Sequence, residues 1–181
     1  MIDLSQPAPA PLLAYSDAAF TPGQQPQLGG FAFERSHNVV CAGWMTVEPR
    51  VTEVWKPRTQ QIFPAEVLAV SAALANHPES FRNRDVSWFI DNESDCSTLI
   101  RGASCEEDVC SIAECTALMA MRLNCRIWYE WVDSNAIPSD GRSRLGAADP
   151  RYGSISTKGA TPEWHALGTD AERFREIQRR F

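Results

Sequence analysis

The sequence predicts an α/β domain built on a mixed five-stranded sheet with helices on both faces. Three features carry this expectation. Three β-rich runs precede any helix, a helical stretch follows them, and two later runs, VSWFID and RIWYEWV, alternate with further helical segments. Those two runs are apolar almost throughout, as befits strands covered on both sides.

Element by element, residues 1–11 are rich in Pro and Ala and read as a flexible N-terminal segment. Order begins at Leu12, where LLAYSDAAF reads as a strand ending near Asp17. GGFAFERSHNVVCAGWMTV holds two strands parted by the polar cluster from Glu34 to Asn38, a hairpin turn. EPRVTEVWKPRTQQIF lacks periodicity and reads as a long connection that closes over a site or packs on its rim. Pro64 suits the first turn of a helix whose Val67, Val70, Ser71 and Leu74 form a stripe, with Glu66 beside it. Further helices are expected over 93–100 and 106–123, the second with Ile112, Cys115, Met119 and Leu123 on one face. Residues 12–146 make one domain, and 147–181 form an extension in which TDAERFREIQRRF reads as a terminal helix capped by Asp170.

Composition fits that single domain. The 181 residues are 44% hydrophobic and 22% charged, enough to bury a sizeable core. No run is long and apolar enough to span a membrane, and the N-terminus lacks the basic start and apolar centre of a signal peptide, so an intracellular chain is expected. The six cysteines make no C-x-x-C pair and none of the three histidines lies at zinc-motif distance, which leaves reduced thiols as the simple reading. A net charge of −6 argues against a free-standing nucleic-acid binder, since such binding draws on a basic patch that displaces counterions from phosphate.

Four acidic residues stand out. Asp17 closes the first strand, Glu66 lies at the start of a helix, Asp91 ends VSWFID, and Asp140 follows RIWYEWV in a turn. Carboxylates gathered at one sheet edge would repel one another unless a cation neutralised them. Hard oxygen ligands favour Mg2+ or Mn2+. Taken singly, each acid has a plainer role as a turn former, a cap or a helix-dipole partner, and Asp95, Glu93 and Asp133 are alternatives nearby, Asp133 standing in for Asp140.

In order and context, YSDAA, the two strands after it, FPAEVLAV, FIDNESDCSTLI and VDSNAIPSDGRSR resemble the ribonuclease H family, most closely the ribonuclease H domains of retroelement reverse transcriptases, which often end in V-x-S-x-x-N-x-A-D-x-x-S-R. The resemblance implies a ribonuclease-H-like fold and hydrolysis of the RNA strand of RNA–DNA hybrids by two ions of Mg2+ (or Mn2+). It assigns Asp17 to both ions, Asp140 to the ion that activates water, and Glu66 and Asp91 to the ion beside the leaving oxygen. Glu66 would also lie nearest the 2′-hydroxyl that marks RNA. Ser16, Asn92, Arg142 and Arg144 are candidates for substrate contact, and Gln61 is more simply structural. Trp44, Trp88, Trp128 and Trp131 read as core or sheet-face residues.

Two family features are missing: a histidine in the loop 133–139, and a basic helical protrusion, for 103–114 is acidic instead. Both absences point to a partner, such as a polymerase domain, that supplies the grip on nucleic acid. Two other readings compete. A DNA nuclease of the same superfamily would show D-x-E on the first strand or a late helical Glu; a non-catalytic binding or assembly platform would show a missing carboxylate, and all four are present.

Overall fold

The computed structural model describes residues 10–34, 39–59, 61–137 and 140–145, with the backbone alone at 39 and 140–142. The expected extension at 147–181, with its terminal helix, lies outside these residues, as does most of the expected N-terminal segment.

Five strands form one sheet: β1 (Leu12–Ala19), β2 (Gln27–Glu34), β3 (Val39–Thr46), β4 (Asp85–Ile90) and β5 (Arg126–Trp131). Their order is β3-β2-β1-β4-β5, with β1, β2 and β3 antiparallel and β4 and β5 parallel to β1. The first strand runs past Asp17 to Ala19, further than expected, because Ala18 and Ala19 continue the ladder with Leu28 and Gln27.

The helices are α1 (Pro49–Thr52), α2 (Ile62–Asn76), α3 (Pro78–Phe81), α4 (Glu93–Arg101), α5 (Glu107–Arg122) and α6 (Asp140–Leu145). Helix α2 carries no narrow stripe. From Pro64 to Leu74 it is buried on almost every side except at Glu66, lying between the sheet and α5. Its alanines 65, 69, 72 and 73 permit that close approach, and the Ser71 and Thr116 hydroxyls pair at 2.5 Å between the two helices. The core on this face joins Leu12, Ala14 and Ala18 of β1 to Val86, Trp88 and Ile90 of β4, and Trp88 stacks on Phe81 at 5.4 Å. Burying side chains of this size contributes roughly 1.5–3 kcal/mol each. Helix α6 packs on β1, β2 and β3, so helices lie on both faces, and Tyr15 stacks with Phe31, Phe33 and Phe89 across β1, β2 and β4.

The long connection after β3 contains α1, buries Trp55, and is clipped to the start of α5 by Arg58, which binds Asp108 at 2.6 Å and Glu106 at 3.2 Å. Two other expectations are corrected. Strand β5 is not covered on both faces. It is an edge strand packed by α4 and α5, so Trp128 and Trp131 stay 70% and 51% exposed. Asp140 lies not in a turn but at the head of α6, after a short 3-10 turn over Ser134–Ala136.

All six cysteines are free. Burial pushes the Cys41 and Cys125 thiols up to about 12 and Cys115 up to about 11, so these three are held as inert thiols. No helix among the described residues is long and apolar enough to cross a membrane.

Candidate metal centre

Parallel pairing of β1 with β4 sets the site. Tyr15 is in register with Phe89, so Asp17 and Asp91 each stand two residues beyond the same rung and reach the same edge of the sheet. Helix α2 begins over that edge. Pro64 sits in its first turn, where the missing N–H costs no helical bond, and Glu66 follows. One carboxylate oxygen from each of Asp17, Glu66 and Asp91 lies within 4.8 Å of the other two.

That arrangement suits a divalent cation. Glu66 Oε2 is buried without a hydrogen-bond partner, an expensive state for an ionised oxygen unless a cation meets it. A divalent cation held among three carboxylates this close would offset their mutual repulsion. The donors are all oxygen, which fits Mg2+ or Mn2+.

Asp17 is 6% exposed and stands opposite Gly29 in the antiparallel ladder. From α6, the buried Ser143 hydroxyl donates to Asp17 Oδ2. Sequence reasoning did not single out Ser143, although it is the serine of the D-x-x-S-R ending. Asp140 itself opens α6, and its side chain lies outside the described residues, as does that of Arg142.

The other expected contacts separate. Ser16 alternates with Asp17 onto the core face, is 3% exposed, and accepts the Trp88 indole N–H at 2.9 Å, so it steadies β1 against β4. Asn92 caps α4 by accepting from the Ser94 N–H. Arg144 is exposed on α6. Gln61 donates to the Lys56 carbonyl and is structural. Of the alternative acids, Glu93 is exposed at the start of α4, and Asp133 accepts from the Asn135 N–H and side chain, which lowers its pKa. Asp95 is wholly buried, with neither oxygen hydrogen-bonded. Burial raises it to about 8, which makes it a neutral core carboxyl at pH 7 and no part of the cluster.

An open groove of about 580 Å³ along α4 is lined by Phe63, Glu93, Ser94, Ser97, Thr98 and Arg101. In sequence, Phe63 stands three residues before Glu66 and Glu93 two after Asp91. The groove's hydroxyls and one guanidinium can bind a sugar-phosphate backbone. The Trp131 indole donates to the Asp91 carbonyl at 3.0 Å and fixes the loop that bears the third carboxylate.

No protein-family model matches this chain, and no curated protein sequence does. Solved structures do. RNase H1 from the halophilic archaeon Halobacterium salinarum NRC-1 superposes with a TM-score of 0.58 at 15% identity, covering 75% of this chain and 98% of that one. The N-terminal RNase H domain of rv2228c from Mycobacterium tuberculosis, solved as a fusion with maltose binding protein, gives 0.58 at 13% identity, over 75% and 95%. LC11-RNase H1 in complex with RNA/DNA hybrid gives 0.51 at 9% identity, over 71% and 91%. The fold is therefore that of ribonuclease H, a mixed sheet in the order β3-β2-β1-β4-β5 flanked by helices.

Proposed function

We propose that this chain is a ribonuclease H-type endonuclease that hydrolyses the RNA strand of RNA–DNA hybrids with two divalent ions, Mg2+ or Mn2+. The observation that carries the reading is the meeting of Asp17, Glu66 and Asp91 oxygens within 4.8 Å at one sheet edge, in a chain with the ribonuclease H fold. That LC11-RNase H1 was solved with RNA/DNA hybrid supports the choice of substrate.

In this reading Asp17, Glu66, Asp91 and Asp140 hold the ions. Asp140 opens the helix whose Ser143, one turn later, bonds Asp17. When bound, such ions activate water and stabilise the charge that develops on the attacking and leaving oxygens. The chain's own part is to fix the carboxylates. The β1–β4 register sets the spacing of Asp17 and Asp91, Ser143 orients Asp17, and Trp131 anchors the Asp91 loop. Glu66 is the acid on a separate helix, nearest the 2′-hydroxyl. The groove along α4 takes the backbone of the hybrid, with Arg101 and the hydroxyls of Ser94 and Ser97 as contacts, and Asn92, Arg142 and Arg144 are further candidates for substrate contact.

The groove holds one arginine among hydroxyls and an acid, and the chain carries a net charge of −6. Intrinsic affinity for nucleic acid is accordingly weak. A reverse transcriptase or another polymerase domain, fused or bound, supplies the grip, as the D-x-x-S-R ending suggests. Incubating the protein with end-labelled RNA–DNA hybrid, RNA duplex and DNA duplex tests the reading: cuts in the RNA of the hybrid alone are expected, and equal cutting of DNA duplex would favour the DNA nuclease reading.

A further inference from the structure

We infer that β5 is a self-association surface, and that a second copy of this chain pairs with it antiparallel about a two-fold axis at Trp128. The inference is independent of the nuclease reading. Strand β5 is an edge strand, and among the described residues nothing pairs with its outer side.

The backbone fixes which groups face outward. Arg126 N–H donates to the Arg84 carbonyl and Val132 N–H to the Ile90 carbonyl, both toward β4. Even-numbered residues thus spend their main-chain groups inside the sheet, and Ile127, Tyr129 and Trp131 present theirs to the open edge. In an antiparallel partner centred on Trp128, Ile127 meets the partner's Tyr129 and Tyr129 the partner's Ile127. These odd-numbered pairs can exchange main-chain hydrogen bonds, which is the parity an antiparallel ladder requires.

Side chains select that register. Arg126, Trp128 and Glu130 share the opposite face from the core residues Ile127 and Tyr129, and all three are exposed, Trp128 by 70%. Centred on Trp128, the two-fold sets Arg126 against the partner's Glu130, twice, and Trp128 against the partner's Trp128. These are non-hydrogen-bonded pairs, where side chains lie closest. Shifting the centre to Ile127 or Tyr129 breaks the charge match. Edge strands are usually protected by like charges, proline or a bulge. Here the two charges are of opposite sign and symmetric about a tryptophan, so against its own copy the edge attracts. Within one copy Arg126 leans on Asp85 and Trp128 on Glu130, and both groups keep exposed surface for the partner. Six residues a side is below the extent of a standard stable interface, so the dimer is weak and concentration-dependent.

Sedimentation velocity of the full chain over a concentration series tests this. A monomer–dimer equilibrium is expected. Arg126→Glu or Glu130→Arg alone should weaken it at least roughly tenfold, through like-charge contact across the axis, and the double swap should restore it. Circular dichroism checks that each variant is folded. As a second readout, Trp128→Cys should oxidise to a dimer whose mapped disulfide joins position 128 to position 128, while Ile127→Cys should not join to itself. A monomer at every concentration, or a dimer indifferent to the charge swaps with the cross-link mapped elsewhere, overturns the proposal.

Discussion

The Ser143 hydroxyl donates to Asp17 Oδ2 across 126 residues of sequence, with both groups buried. It is the contact by which α6, the last described helix, reaches a carboxylate of the cluster. A ligand held by a second residue keeps its rotamer when the cation leaves, and loss of such support typically costs 10–100-fold in metal affinity or activity. Ser143→Ala should therefore lower Mn2+ affinity and hybrid cleavage by roughly tenfold or more. Thermal stability should fall by only about 1 kcal/mol, the worth of one hydrogen bond. Unchanged metal affinity would reduce Ser143 to a packing residue.

Asp95 makes stability depend on pH. Its carboxyl is buried without a partner and raised from 3.8 to about 8. Because the folded-state pKa lies above the unfolded one, the folded form holds the proton more tightly. The contribution is fully present below the unfolded pKa and is lost as pH rises from about 4 to about 8, at up to about 1.4 kcal/mol per pH unit. Asp95→Asn cannot ionise, so its melting temperature relative to the wild type should rise from pH 5 to pH 8. Parallel melting profiles across that range would contradict the assignment.

Arg58 behaves in the opposite sense. Its guanidinium grips both oxygens of Asp108, at 2.6 and 2.7 Å, and holds that carboxyl down at about 2. The folded-state pKa is depressed, so this contribution is present above about pH 4 and lost as pH falls toward 2. Arg58→Ala should cost about 1–3 kcal/mol at pH 7 by leaving Asp108 without its charged partner. The deficit should shrink in acid, as read by chemical denaturation at pH 7 and pH 3. Arg58→Lys should recover only part, because the fork that meets both oxygens is gone.

Much of this architecture was legible in the chain, and the parts that were not have physical reasons. The three helices at 62–76, 93–101 and 107–122 announced themselves through periodicity and Pro64. The strands declared themselves through β-branched and aromatic runs. Asp17, Glu66 and Asp91 were each ambiguous alone; the register of two parallel strands, a non-local fact, brings them together. Composition misled at β5, where an apolar run looks the same on an edge strand as in a sheet centre, so the exposure of Trp128 and Trp131 was hidden. Strand alternation parts Ser16 from Asp17: the carboxylate points to the cluster and the hydroxyl to Trp88. Ser143 was missed because a small hydroxyl in a turn-like sequence acquires its role only when α6 docks on β1 and β2.

The most direct test of the central claim is cleavage of an end-labelled RNA–DNA hybrid in Mg2+ or Mn2+ by the wild type and by Asp17→Asn, with both shown folded. The account predicts RNA-strand cutting that depends on the divalent ion and falls by at least roughly a hundredfold in the variant, since Asp17 is one of the three carboxylates whose oxygens meet to hold it. No cutting by the folded wild type with either ion, or cutting that survives Asp17→Asn, would contradict it.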